Sequence, residues 1–301
     1  MGANRSGGLL KLLRARLLRD QSAWATWPTH IENKPYPPPD GKTPSLTWIG
    51  HSSFLLCLGG VNVLVDPVFS ERCSPVRFAG PKRVRAPGIA IETLPKIDLI
   101  LLSHNHYDHM DIPALRIICQ HFPEAQIITS LGNADFLARK GLQRAAELDW
   151  WQQVCLQNVQ ITATPARHFA ARTLWDRNKT LWVGFVLHYQ GRCIYFAGDT
   201  GYTRYFAEIH ERLGAPDLAL LPIGAYQPRE MMATIHMDPD EAIQAFMDLQ
   251  AHRAVGMHFG TFQLTAEPIY EPPRRLSASL AKNSISPERF IVLDVGQTIQ
   301  L

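Results

Sequence analysis

Residues 98–109 run Asp-Leu-Ile-Leu-Leu-Ser-His-Asn-His-Tyr-Asp-His, an apolar strand-like stretch that ends on four metal-type ligands. Few folds accept such a segment, because the stretch asks to be buried while its end must open onto a site. The ligands are His104, His106, Asp108 and His109. Imidazole and carboxylate together suit zinc, iron or manganese, whereas calcium and magnesium prefer oxygen alone. Positions two apart in extended backbone project to the same side, so His104 and His106 can grip one ion together. Asp108 and His109 follow after the chain turns and can reach a second ion. A His-rich surface turn without metal is the competing reading, and the spacing behind a buried strand argues against it.

A local cluster of four cannot fill two coordination shells, so ligands are expected from elsewhere. His168 follows the alternating run Val159-Gln-Ile-Thr-Ala-Thr164, Asp199 follows Cys193-Ile-Tyr-Phe-Ala197, and His258 ends Val255-Gly-Met. A lone histidine at a strand end is more often a structural residue. Three candidates that all end strands, where α/β sheets present functional loops, make a set.

The 301 residues can bury a large core, and 46% hydrophobic with 19% charged residues is ordinary for a globular chain. A formal charge of +3 and the lack of a dense basic run near the metal cluster argue against nucleic acid as a partner. The five cysteines (Cys57, Cys73, Cys119, Cys155, Cys193) are scattered without a Cys-x-x-Cys pair and read as reduced core thiols. That points to a cytoplasmic, reducing compartment. No stretch approaches the roughly 20 apolar residues of a membrane span.

Two parts are expected. Residues 1–44 form a basic amphipathic arm and a Pro-rich connector, and residues 45–301 form the main domain. In the arm Leu9, Leu10, Leu13 and Leu17 fall on one helical face, with Lys11, Arg14 and Arg19 elsewhere. Such a segment either rests on an anionic membrane, on its inner face, or packs onto the domain. Met1-Gly-Ala-Asn-Arg-Ser6 also fits a myristoylation pattern, a match too common to carry an expectation. Pro35 to Pro44 favours a semi-rigid extended connector. Beyond it come β-type runs at 46–49, 53–58 and 61–65, with Gly59-Gly60 as a hairpin turn. Helices are predicted at 112–121, 133–140, 203–213, 239–250 and 274–282. The start near 239 is the clearest, with Asp238 as N-cap, Pro239 next and Glu241 three residues after the cap. Hairpins followed by β/α alternation suit two packed sheets with helices outside.

The ordered set His104-x-His106-x-Asp108-His109, His168, Asp199 and His258 resembles that of the metallo-β-lactamase superfamily. Further blocks are similar to its N-acyl-phosphatidylethanolamine-hydrolysing phospholipase D branch. They include Thr47-Trp-Ile-Gly-His-Ser, Asp66-Pro-Val-Phe-Ser, Gly80-Pro-Lys-Arg, Glu147-Leu-Asp-Trp-Trp, Pro222-Ile-Gly-Ala-Tyr and His236-Met-Asp-Pro-Asp-Glu-Ala. The resemblance runs from about Pro44 to the C-terminus. It implies an αββα sandwich of two packed mixed β-sheets with helices on the outer faces. It also implies two divalent transition-metal ions, zinc first, with iron or manganese as alternatives. His104, His106 and His168 would hold one ion, Asp108, His109 and His258 the other, and Asp199 would bridge both. A hydroxide shared by the ions would attack a phosphodiester, with a phospholipid as the expected substrate and a homodimer as the expected assembly.

Asp108, Asp199 and His236 are the candidate catalytic residues. His236 either protonates a leaving group or contacts substrate phosphate, against a plain loop histidine. Asp66 is read as an acceptor for a ligand histidine's N–H or as a strand-end turn residue. His51, Tyr226, Gln227 and Arg229 are candidates to line the pocket, and Trp150-Trp151 to sit in the core. The leading activity is a phosphodiesterase of phospholipase D type. Hydrolysis of another ester, lactone or phosphoester is the second reading, since one fold hosts many reactions. A non-catalytic metal-dependent regulatory module is the third.

Overall fold

Leu99 and Leu101 point to one side of their strand and Ile100 and Leu102 to the other, and all four are buried. A strand dry on both faces needs a layer above and a layer below it, and the fold supplies them. The computed structural model describes residues 25–301 apart from Arg144, so the amphipathic stretch at residues 9–19 lies outside the described residues. Six strands follow one another into a first sheet: β1 (Ser45–Gly50), β2 (Ser53–Cys57), β3 (Asn62–Val65), β4 (Leu99–Leu102), β5 (Gln126–Ser130) and β6 (Ala145–Leu148). The C-terminal β14 (Thr298–Gln300) joins it beside β1. The second sheet runs in order β7 (Gln153–Leu156), β8 (Val159–Pro165), β9 (Val183–Tyr189), β10 (Arg192–Phe196), β11 (Leu218–Pro222), β12 (Arg253–Met257) and β13 (Phe290–Ile291).

Both sheets are mixed. β1 to β3 pair antiparallel and β3 to β6 parallel; β7 to β10 pair antiparallel and β10 to β13 parallel. Their facing sides share one core, in which Trp48, Leu56 and Val63 of the first sheet join Ile161, Phe185 and Leu220 of the second. Each such side chain contributes about 1.5–3 kcal/mol on burial. The other face of the first sheet is covered by α1 (Ile112–His121) and α2 (Ala134–Arg139) through Leu115, Ile118 and Leu137. The second sheet is covered by α3 (Tyr205–Leu213), α5 (Pro239–Asp248) and α6 (Glu271–Lys282) through Phe206, Phe246 and Leu276. The layers are α, β, β, α.

Local signals account for the boundaries. Gly59 and Gly60, both at positive φ, turn β2 into β3. Asp238 and Glu241 close a capping box at the start of α5, with Pro239 at the first helical position. The helix forecast at 274–282 begins three residues earlier, at Glu271, and a one-turn helix α4 (Arg229–Met232) was not signalled. No helix among the described residues is long and apolar enough to cross a membrane. The connector does not lead away from the domain. Lys34 Nζ and Tyr36 Oη both reach Asp294 Oδ2 at 2.7 Å, and Trp27 Nε1 donates to the Glu267 carbonyl at 2.9 Å. Cys57, Cys73 and Cys193 are buried as expected, while Cys119 is half-buried and Cys155, on the edge strand β7, is exposed.

Candidate metal centre

The strand ends meet at one edge of the sandwich. β4 delivers His104, His106, Asp108 and His109; β8 delivers His168; β10 delivers Asp199; β12 delivers His258. All seven predicted ligands therefore come together, in two adjoining groups, and a third group that overlaps them joins Asp199 and His258 with His236. His104, His106, His168 and Asp199 form the first, and Asp108, His109, His258 and His51 the second, with potential ligand atoms in each within 4.8 Å of one another. Asp199 Oδ2 serves both, lying 3.0 Å from His258 Nε2, 3.2 Å from His109 Nε2 and 3.6 Å from His168 Nε2.

The backbone is bent to achieve this. His51, Asp66 and His258 hold left-handed φ of 53°, 39° and 62°. Such positions cost about 1–3 kcal/mol each and persist where surrounding contacts over-determine them. The His51 carbonyl accepts both His258 N and Trp48 Nε1, which locks two of the bends together. Gly198 turns the chain toward Asp199 at φ 60°, where a Cβ would come within 2.7 Å of the Val183 carbonyl.

Outer contacts fix the imidazole tautomers. His168 Nδ1 meets the Ile235 carbonyl at 2.9 Å, an acceptor only, so Nδ1 carries the hydrogen and Nε2 turns its lone pair inward. His109 Nδ1 meets Asp66 Oδ2 at 2.7 Å, which also leaves Nε2 facing the centre. Asp66 additionally accepts Ser103 N and Ser103 Oγ. Its side chain thus orients His109, a candidate ligand, and its backbone is also the strand-end turn.

Charge is distributed unevenly. Burial holds His106 down at about 3, His168 and His51 at about 4, and His104 well below the usual range, so these rings are neutral. Burial opposes charge on the others too, but close partners overcome it. Asp199 and Asp108 push His258 up to about 9 and His109 well above the usual imidazole range, and the same contacts hold both carboxyls well below theirs.

The residues fit a pair of metal ions. Among the described residues, Asp199 Oδ1 is buried with no hydrogen-bond partner, a costly condition unless a ligand engages it, and the close partners of His109 Nε2 and His258 Nε2 are the two carboxyls they crowd against. His106 Nδ1 lies 2.8 Å from His104 Nε2 and 3.2 Å from His168 Nε2. Nitrogens about 2.0–2.1 Å from one tetrahedral ion would be a little over 3 Å apart.

A family model describing the beta-lactamase superfamily domain matches residues 61–259. The chain belongs to the metallo-β-lactamase superfamily. Within it, the chain falls in the N-acyl-phosphatidylethanolamine-hydrolysing phospholipase D branch. It is 36% identical over 263 residues to N-acyl-phosphatidylethanolamine-hydrolyzing phospholipase D 1 of Caenorhabditis elegans, covering 83% of this chain and 74% of that protein. It is 38% identical over 259 residues to the mitochondrial N-acyl-phosphatidylethanolamine-hydrolyzing phospholipase D of Saccharomyces cerevisiae, covering 84% of this chain but 55% of that one. Among solved structures, a metallo hydrolase from the archaeon Ignicoccus hospitalis superposes with a TM-score of 0.64 at 27% identity, covering 85% of this chain and 97% of that chain. Family and relatives make this a metal-dependent hydrolase whose His/Asp groups can bind metal.

His106 and Asp108 open onto a cavity. It measures about 920 Å³ beside His106 and Asp108 and is walled by Trp27, Tyr107, Lys82, Arg83 and Leu264. Arg83 is buried against the Phe262 ring, 5.2 Å from its centroid; burial lowers it to about 10, so it stays cationic at neutral pH. His236 is at the centre, its ring 4.9 Å from His168 and 5.1 Å from His258. Tyr226, Gln227 and Arg229 do not line this cavity. Tyr226 Oη donates to Glu271, Gln227 N to Glu267, and Arg229 binds Glu241 and the His236 carbonyl, which braces the loop below His236. His51 is closer to the chemistry than a pocket wall, its Nε2 3.0 Å from Asp108 Oδ2. Its position at a strand end, like the other candidates, was the available signal. Trp27 and Arg83 carried none. The Trp150-Trp151 pair packs against the shared core as expected.

Proposed function

We propose that the protein is a phosphodiesterase of phospholipase D type that cleaves N-acylphosphatidylethanolamine-like lipids to an N-acylethanolamine and a phosphatidate. The observation that carries this reading is the pair of His/Asp groups with Asp199 between them, reached through His106 and Asp108 from a cavity whose lining includes two cations, Lys82 and Arg83. A cationic wall suits a substrate with a phosphodiester charge, and the relatives named above are phospholipases D by name. His104, His106 and His168 would hold one divalent ion, Asp108, His109 and His258 the other, with Asp199 between them. The nitrogen-rich, mixed N/O set suits zinc first, with iron or manganese as alternatives. Ions bound there would polarise a phosphoryl oxygen and bring a water molecule's pKa toward neutrality.

The chain's own groups set the rest. Lys82, whose ammonium also pairs with Glu71 at 2.7 Å, would attract the phosphodiester by charge, while Arg83, held by the Ser70, Arg85 and Val68 carbonyls, adds fixed positive charge to the wall. Asp66 and the Ile235 carbonyl keep His109 and His168 in the tautomer that presents Nε2. His236 has two candidate roles. Burial holds its ring well below the usual range and therefore neutral. That favours a hydrogen bond from its N–H to a phosphoryl oxygen over delivery of a stored proton. Buried thiols such as Cys57 and Cys193 suit a reducing compartment, and the reading extends to a cytoplasmic location at a membrane surface.

A substrate panel tests this. Protein purified without chelator is given N-acylphosphatidylethanolamine, bis(4-nitrophenyl) phosphate, a lactone and a thioester. The reading expects both diesters to be cleaved and the lipid to be preferred. Turnover of the lactone or thioester with neither diester touched overturns it in favour of ester hydrolysis, and no turnover of any substrate with metal bound favours a regulatory module.

A further inference from the structure

Eight large apolar side chains are notably exposed among the described residues, and the two most exposed, Phe78 at 85% and Trp175 at 83%, sit on two loops that border the same hollow. The hollow, of about 740 Å³, is lined by Val76 and Arg77 from one loop and by Thr173 and Asp176 from the other. It adjoins the active-site cavity, with which it shares Ser74, Pro75 and Tyr107. Phe78 follows directly on Arg77, and Leu174 (62% exposed) and Trp175 lie between Thr173 and Asp176. The loops that carry the apolar tips therefore border one hollow, next to the cavity beside His106 and Asp108.

Neither loop is loose chain. The first is closed at its base by the Arg72–Lys82 bridge and by Arg72 Nη1 donating to the Gly80 carbonyl at 2.6 Å. The second is closed by Asp176, whose Oδ1 accepts Arg172 N at 3.0 Å and Thr173 N at 2.8 Å. Arg172 then fastens it to the ligand loop, stacking over Tyr107 at 3.9 Å and donating to the Asn105 and Met110 carbonyls at 2.7 and 2.9 Å. Exposing a tryptophan, a phenylalanine and a leucine on well-braced tips has a cost in water unless something apolar receives them. Cations accompany both tips: Arg77 beside Phe78, and Arg177 two residues after Trp175, its guanidinium 4.0 Å above the Phe169 ring. Apolar tips carrying an aromatic ring with adjacent arginines match the interfacial zone of an anionic bilayer, where rings enter at head-group depth and cations meet lipid phosphates.

We infer that the loops bearing Phe78 and Leu174–Trp175 form a two-pronged docking surface that seats the mouth of the cavity on an anionic lipid bilayer. This rests on the proposed lipid substrate for its purpose and on the exposed tips for its observation. It assigns bilayer contact to the rim of the site, in addition to whatever the N-terminal arm does. A second copy of the chain is the competing occupant.

The test is co-sedimentation of the full chain with vesicles that contain no N-acylated lipid, so that its failure and that of the substrate reading are distinguishable. One set is phosphatidylcholine alone and the other contains 30 mol% phosphatidylglycerol (about the anionic share that gives a useful surface potential). The inference expects preference for the anionic vesicles and a loss of about tenfold or more in partitioning for Phe78→Ser/Trp175→Ser. Met247→Ser, an exposed apolar side chain on α5, serves as the control and should leave binding unchanged. Metal content and thermal unfolding of each variant show that it is folded. Equal vesicle binding by the folded double variant overturns the inference, and so does a shift from dimer to monomer in sedimentation velocity with vesicle binding intact, which assigns the tips to a second copy.

Discussion

Asp66 Oδ2 lies 2.7 Å from His109 Nδ1, and both side chains are fully buried. The carboxylate fixes which imidazole nitrogen faces the metal centre, and it does so through a strand-end residue that also binds Ser103. Asp66→Asn keeps the shape and removes the charge. Loss of such an outer partner typically lowers metal affinity or activity about 10–100-fold. Competition with a fluorescent chelator should show that drop with the far-ultraviolet circular dichroism unchanged; undiminished affinity would mean that Asp66 serves only the turn.

Asp199→Asn should reduce metal occupancy at both positions, because Asp199 Oδ2 faces His258 and His109 in one group and His168 in the other. Elemental analysis of the purified variant should find fewer than two ions per chain. Two ions bound and normal turnover would show that the carboxylate is no bridge.

Metal uptake should release protons. In the metal-free protein His258 is raised to about 9 and His109 well above the usual range by Asp199 and Asp108, against the effect of burial. Near pH 7 both rings therefore hold a proton that a ligating nitrogen must lose. Apparent affinity should rise with pH up to about 9, and calorimetric enthalpies should depend on the ionisation heat of the buffer. Affinity flat between pH 6 and pH 9 would contradict this. The same groups act oppositely on the stability of the metal-free protein. Their stabilisation is fully present below the unfolded imidazole pKa of about 6.5 and is lost as pH rises through about 9.

His236→Ala distinguishes contact from proton delivery. A neutral His236 that holds a phosphoryl oxygen should, when removed, slow N-acylphosphatidylethanolamine and bis(4-nitrophenyl) phosphate by similar factors. A loss of about 10²–10⁴-fold confined to the lipid, whose alkoxide leaves poorly, would instead assign general acid catalysis.

The clustering of these histidines and aspartates was legible in the sequence because they are strand-end residues of strong chemical type. The buried runs that deliver them announce themselves by alternation, and the capping box at Asp238 fixed the helix behind His236. What the sequence hid depends on contacts between distant segments. Arg83 reads as one more arginine until its burial against Phe262 is seen, and Trp27 is brought to the cavity by contacts such as that with the Glu267 carbonyl, 240 positions away. His51 was visible as a strand-end histidine, but its pairing with Asp108 depends on a left-handed bend that no local pattern encodes. The pocket role expected of Tyr226 and Arg229 failed for a similar reason, since Glu271 and Glu241 claim them from elsewhere.

Metal stoichiometry coupled to activity tests the central claim most directly. Plasma mass spectrometry of protein purified without chelator should find two transition-metal ions per chain. Stripping them should abolish hydrolysis of N-acylphosphatidylethanolamine, and adding back zinc, iron or manganese should restore it. Full activity in the metal-free, folded protein would contradict the account, as would a fully active protein that binds no transition metal.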